Sequence, residues 1–118
     1  MNKALRVPDY LGHILEAIER IEEYVSDMDE MAFLASKLVQ DAVIRNIEII
    51  GEASNNIQRV HPAFAAQHDN IPWQVMYAMR NRVSHGYDKV DFEIIWKTIH
   101  RDLPGLYALI RQAKGNVQ

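Results

Sequence analysis

The sequence predicts an all-α protein: an up-and-down helical bundle of four main helices plus a short one, with the last helix kinked near Pro104. Three observations lead there. Apolar residues recur at spacings of three and four through most of the chain, as in helices with one buried face. Proline, aspartate and glycine sit where helices would start and stop. No stretch reads as a strand, and no turn pair marks a hairpin.

The first helix opens at Pro8 and Asp9. Proline lacks an N–H that the first turn does not need, and an early acid complements the positive end of the helix dipole. Leu11, Ile14, Leu15, Ile18, Ile21 and Val25 then form one apolar face, opposite Glu16, Glu19, Arg20, Glu22 and Glu23 on a face left to solvent. Ser26-Asp27-Met28-Asp29 reads as a turn. The second pattern is longer: Phe33, Leu34, Leu38, Val39, Ala42, Val43, Ile47, Ile50, Ala53 and Ile57 keep helical spacing, with room for a bend near Lys37. The β-branched run Val43 to Ile50 tempts a strand reading, but its polar residues do not alternate, so helix is preferred. Gly51 lies inside that helix with no capping role, which marks a place where another backbone comes close.

Asn55-Asn56 and then His61-Pro62 end the second helix, and residues 62–70 form a short helix or turn. Ile71-Pro72-Trp73 opens a third major helix with Val75, Met76 and Met79 as its apolar stripe and Gly86 as its stop. Asp91 caps the last helix, whose core side holds Phe92, Ile95, Trp96, Ile99, Leu103, Leu106 and Ile110; Pro104 must kink or split it. The chain reads as one domain over 1–118, with 115–118 as a frayed tail.

Composition narrows the function. The chain has 118 residues, 48% of them apolar and 25% charged, the mix of a soluble globular domain. With no cysteine there are no disulfides, thiolate metal sites or Cys nucleophile. No run of about 18 uncharged apolar residues exists to cross a membrane, and the charged start Met1 to Asp9 does not read as a signal peptide, so a cytoplasmic protein is expected. A net charge of -3 argues against coating nucleic acid through bulk charge. The charge is uneven, however: residues 1–79 carry 6 basic and 12 acidic side chains, and residues 80–118 carry 7 basic and 4 acidic. Only the last third would welcome a polyanion.

Several chemistries lack their residues. No Glu has a His three positions later, as a di-iron bundle requires, and no two of His13, His61, His68, His85 and His100 are three or four apart, as a helical zinc pair requires. There is no Gly-x-Ser-x-Gly elbow and no glycine-rich phosphate loop. No metal and no cofactor is expected.

One stretch concentrates reactive side chains: Met79-Arg80-Asn81-Arg82-Val83-Ser84-His85-Gly86-Tyr87-Asp88. Arginine offers a fork of donors to phosphate oxygens, and histidine moves protons near neutrality. Such a pair can cleave RNA without metal, because the ribose 2′-OH supplies the nucleophile. Asn81 and His85 are four apart and share a helix face, so the amide could orient the imidazole; Arg80 and His85 are five apart, about 140° around an ideal helix. A second copy across a two-fold axis would close that gap by letting two half-sites line one cleft. Residue types alone are equally compatible with a polar helix end meeting solvent, with Arg80 paired to an acid.

Arg80 to Tyr87 matches Arg-x4-His-x-Tyr with a polar residue directly after the Arg, and it resembles the signature of the HEPN superfamily, specifically the HepT-like toxins once grouped as a domain of unknown function. Ile49-Ile50-Gly51-Glu52-Ala53, Ile71-Pro72-Trp73 and Val90-Asp91 through Trp96 are also similar to that family, so the resemblance spans most of the chain. It implies an all-helical homodimer that acts as a metal-independent endoribonuclease, with RNA as substrate, Arg80 and His85 as the catalytic pair, and Asn81, Arg82 and Ser84 as supporting or RNA-binding residues. It further implies a type VII-like toxin–antitoxin pair, in which a minimal nucleotidyltransferase antitoxin transfers AMP onto Tyr87. Added phosphate beside Arg80 and His85 would occupy the anion site and repel RNA. Glu52 could contact the motif, or equally be a polar contact holding two helices together. The rival expectation is a non-enzymatic nucleotide- or protein-binding bundle that serves as a subunit of a nucleotidyltransferase.

Overall fold

The computed structural model describes residues 5–85 and 89–117. Seven helices follow one another: α1 (Val7–Val25), α2 (Glu30–Ala35), α3 (Lys37–Val60), α4 (Pro62–Gln67), α5 (Trp73–His85), α6 (Phe92–Arg101) and α7 (Leu103–Gly115). No strand occurs among the described residues, so the all-α expectation holds. The helix number exceeds the expected one because two of the long helices read from the sequence are each broken once, at Ser36 and at Asp102.

Both breaks have local causes. Ser36 is extended, and its hydroxyl accepts the Val39 N–H at 3.3 Å to start α3. The Gln40 side-chain amide folds back and donates to the Phe33 and Leu34 carbonyls, each at 3.0 Å, so the open end of α2 is satisfied. The break shifts the phase of the apolar pattern. Leu34 and Leu38, read from the sequence as part of the core stripe, face solvent, Leu38 at 81% exposure, whereas Phe33, Val43, Ile47, Ile50, Ala53 and Ile57 are buried. At the second break Pro104 stands in the first turn of α7, where its missing N–H costs nothing, and a continuous helix would drive its ring into the preceding turn. The chain therefore splits rather than bends. Asp102 closes α6 by donating its N–H to Thr98 at 2.9 Å and opens α7 by accepting from Leu106 at 3.1 Å.

The other punctuation follows the sequence. Asp9 accepts the Arg6 N–H at 3.2 Å at the start of α1. Asp29 accepts the Ala32 N–H at 2.8 Å before α2, and Asp91 accepts from Glu93 and Ile94 before α6. The expected glycine stop of α5, Gly86, lies outside the described residues.

α3 is the spine. Its 24 residues span about 36 Å and account for most of the molecule's 41 Å long axis. α1 packs along one side of it and α5 along another; α7 leans on α1, and α6 joins α7 to α2. Leu11, Ile14, Ile18 and Ile21 of α1, Val43 and Ile57 of α3, and Ile110 of α7 are fully enclosed.

α5 is held differently. It buries only Trp73, Met76 and Val83, few for a helix of 13 residues. What brings it close is Gly51: a Cβ there would collide with the Arg80 Cβ and lie 2.9 Å from both the Arg80 Cγ and the Met76 carbonyl oxygen. The close approach expected at this glycine is thus that of α5, at the residue where its reactive segment begins.

Candidate active site on the last turns of the fifth helix

Arg80, Asn81, Arg82, Ser84 and His85 occupy the last turns of α5. The Arg80 side chain is 26% exposed and turns toward α3, where one terminal nitrogen donates to Glu52 Oε1 at 3.1 Å. The other terminal nitrogen donates to Asn81 Oδ1 at 3.1 Å, and Nε is buried with no partner. The guanidinium is thus gripped on two sides while its remaining terminal N–H groups stay available to an anion. The Glu52 side chain is half exposed, so water screens the ion pair and its main effect is orientation rather than stability. Arg80 and Glu52 line a small cavity of about 190 Å³ with Asn55, Asn56 and Tyr77.

His85 is exposed at the helix end and opens elsewhere. With Asn81, Arg82 and Lys89 it lines a second cavity of about 340 Å³, walled by Val90 before α6 and Ile94 in its first turn. The structure therefore does not bring Arg80 and His85 into one cavity within a single chain, as the five-residue step around the helix anticipates. Asn81 is the link: it lines the His85 cavity and its carbonyl oxygen holds Arg80. Among the described residues no hydrogen bond joins Asn81 to His85, so the amide orients the arginine rather than the imidazole.

Ser84 does not face the same way as its neighbour. Its hydroxyl donates to Glu48 Oε2 of α3 at 2.5 Å, with both residues half-buried. Glu48 is the residue that sequence reading missed. The signal was present: Glu48 and Glu52 are one helical turn apart on α3, as Ser84 and Arg80 are on α5. Tyr87 lies outside the described residues. A further cavity, about 550 Å³, lies between α3, α5 and the α6–α7 pair and is lined mainly by apolar side chains such as Met76, Met79, Leu103 and Leu106. None of the polar side chains of the Arg80–His85 segment reaches it. Among the described residues no three His, Cys, Asp or Glu side chains gather closely enough to hold a metal ion.

Comparison with known proteins identifies the family of the chain. The family described as "Ribonuclease HepT-like" matches residues 14–113. A Thermococcus cleftensis protein named "Probable ribonuclease HepT" is 47% identical over 98 residues, covering 83% of this chain and 86% of its own length. A Methanocaldococcus jannaschii protein, named a gamma-glutamylcyclotransferase and putative RNase, is 43% identical over 106 residues; these cover 90% of this chain but 46% of that longer protein. A putative RNase from the same archaeon is 37% identical, covering 83% of this chain and 87% of its own length. No solved structure matches.

Proposed function

This chain belongs to the HepT-like ribonuclease family, and from that premise we propose that it is an endoribonuclease, the toxin of a type VII-like toxin–antitoxin pair, working without a metal ion and silenced by AMPylation of Tyr87. The observation that carries the reading is the grip on Arg80. An arginine tethered by Glu52 and Asn81, next to a close helix crossing at Gly51, is pre-aimed at an anion. An exposed imidazole stands at the end of the same helix.

The chemistry needs no further nucleophile. The ribose 2′-oxygen attacks the adjacent phosphorus, the bond to the 5′-oxygen breaks, and the products are a 2′,3′-cyclic phosphate and a 5′-hydroxyl. His85 transfers a proton at the attacking or the leaving oxygen, and the proton lost by the 2′-OH is balanced by the one gained by the 5′-oxygen. Arg80 offsets the charge that grows on the phosphoryl oxygens. Since Arg80 and His85 open into separate cavities, one chain offers them on two sides of a helix. A homodimer pairing two such ends in one cleft is the assembly that the chemistry favours. The antitoxin partner is a minimal nucleotidyltransferase that moves AMP from ATP to the Tyr87 hydroxyl with release of pyrophosphate. The new phosphate competes for the anion site and repels RNA.

The test is RNA cleavage by the purified protein in EDTA. Cleavage is expected to persist and to vanish in Arg80→Ala and in His85→Ala; full activity in both variants would remove the assigned pair. Intact mass after co-expression with the nucleotidyltransferase is expected to rise by one AMP, and not to rise in Tyr87→Phe. Nucleotide binding with no RNA cleavage would instead favour a non-enzymatic subunit of a nucleotidyltransferase.

A further inference from the structure

We infer that Glu48 is a positioning residue of the ribonuclease site, acting through Ser84 to hold the last turn of α5 and the His85 that ends it; the inference rests on the reading just given. α3 and α5 run antiparallel in close contact; beyond the Ser54 hydroxyl that donates to Met76 Sδ at 3.5 Å, two polar ties cross between them one turn apart at the last turns of α5. Glu52 takes Arg80 at 3.1 Å, and Glu48 takes Ser84 at 2.5 Å. The first tie aims the arginine. The second is the last side-chain hydrogen bond from α5 to α3, among the described residues, before the helix ends at His85.

A helix end is where such a tie matters most. The last carbonyls lack intrahelical partners and the final turn frays. α5 has little apolar anchorage there, since Val83 is the one buried residue of its last turn. A hydroxyl bonded to an ionised carboxylate at this length is a strong, charge-assisted contact, and both partners are half-buried, which limits competition from water. The bond also spends the Ser84 hydroxyl on α3, on the side away from the His85 cavity, so Ser84 serves the site by geometry and not by touching RNA.

Two variants break the bond from opposite sides, Ser84→Ala and Glu48→Ala, and Glu48→Gln keeps an acceptor oxygen. Each alanine variant of the full chain is expected to lower kcat for RNA cleavage by about ten- to a hundredfold, the range for a displaced catalytic group, with KM little changed. The double alanine variant is expected to fall no further than the singles, and Glu48→Gln to recover most of the loss. Additive losses, a loss confined to KM, no rescue by glutamine, or wild-type kcat in the alanine variants would each overturn the assignment. Amide hydrogen exchange at Val83, Ser84 and His85 provides a readout independent of activity. Faster exchange there in both alanine variants, exceeding any change in protection along α1 and α3, supports the tie; unchanged protection overturns it. If wild-type protein cuts no RNA, the ribonuclease reading fails, and the exchange measurement still decides whether Glu48 holds the turn.

Discussion

Gly51→Ala separates local helix energetics from packing, because the two push in opposite directions. In an exposed helix interior this change stabilises by about 1 kcal/mol, since alanine loses less backbone freedom on folding. At Gly51 the added Cβ would run into the Arg80 Cβ and stand 2.9 Å from the Met76 carbonyl oxygen, where ordinary contact begins at 3.4 Å. Neither atom is the far end of a flexible side chain, so no rotamer change relieves the clash and α5 must move away from α3. Overpacking of this kind costs about 1–3 kcal/mol and occasionally more. With backbone atoms involved we expect the upper part of that range, leaving a net loss of about 2 kcal/mol. That is a fall in Tm of roughly 8 °C at about 4 °C per kcal/mol for a domain of this size. Gly12→Ala is the internal control: it too lies mid-helix, but its Cβ would meet only the Lys114 Cε at 3.8 Å, so a gain of about 0.5–1 kcal/mol is expected. Urea unfolding followed by circular dichroism measures both, and RNA cleavage is expected to fall in Gly51→Ala by more than the unfolded fraction explains. A Gly51→Ala protein as stable as wild type would refute the close crossing on which the account of Arg80 depends.

Two further outcomes test the frame around the site. Asp91→Ala removes the acceptor for the Glu93 and Ile94 N–H groups at the start of α6, which walls the His85 cavity; it is expected to cost about 1 kcal/mol in urea unfolding, whereas Asp91→Asn is expected to cost little. The Tyr107 hydroxyl donates to Glu19 Oε2 at 2.6 Å, and this bond holds its pKa above the ordinary 10.0 against a smaller opposing pull from Arg111. The contact needs the phenolic proton, so its contribution is full below pH 10 and fades as pH climbs through the raised value. Absorbance titration is expected to show a late-titrating component that disappears in Tyr107→Phe, and a Tyr107→Phe protein with an unaltered loss of stability at alkaline pH would refute the link.

What the sequence made legible was the part governed by local rules. The α1 stripe from Leu11 to Val25, the acid Asp9 in the first turn of α1, the cap at Asp91 and the close approach at Gly51 all follow from spacing, dipole and steric arguments. The Arg80–His85 segment was legible as chemistry, and its two sides were foreseeable from five residues of helical rotation. Leu34 and Leu38 were misplaced because a helical period keeps its phase only while the helix is unbroken. Ser36 breaks it at no cost, its hydroxyl capping α3 while Gln40 caps α2. Glu48 was missed because its meaning lies in Ser84, 36 residues away, and a glutamate on a helix is by default a solvated one.

The way α5 is fastened bears on how such a site can be altered without unfolding the protein. The core is built mainly by α1, α3 and α7, whose enclosed residues are mostly aliphatic, with Ser54 and Asn46 of α3 the polar exceptions. α5 adds Trp73 and Met76 at its start and little apolar surface near its end. Its last turns are placed by a glycine contact and two polar ties, one of them half in water. Exposed ties contribute little to global stability, but displacing a reacting group by about 1 Å can cost a hundredfold in rate. The proposed activity is therefore expected to be lost by two routes: core truncations at Ile14 or Ile18 through folding, and changes at Glu48, Glu52, Asn81 or Ser84 mainly through the placement of Arg80 and His85. A helix end that is cheap to displace is also one that a small charged addition beside it can disable, so under the proposed function control acts more readily beside Arg80 and His85 than in the core.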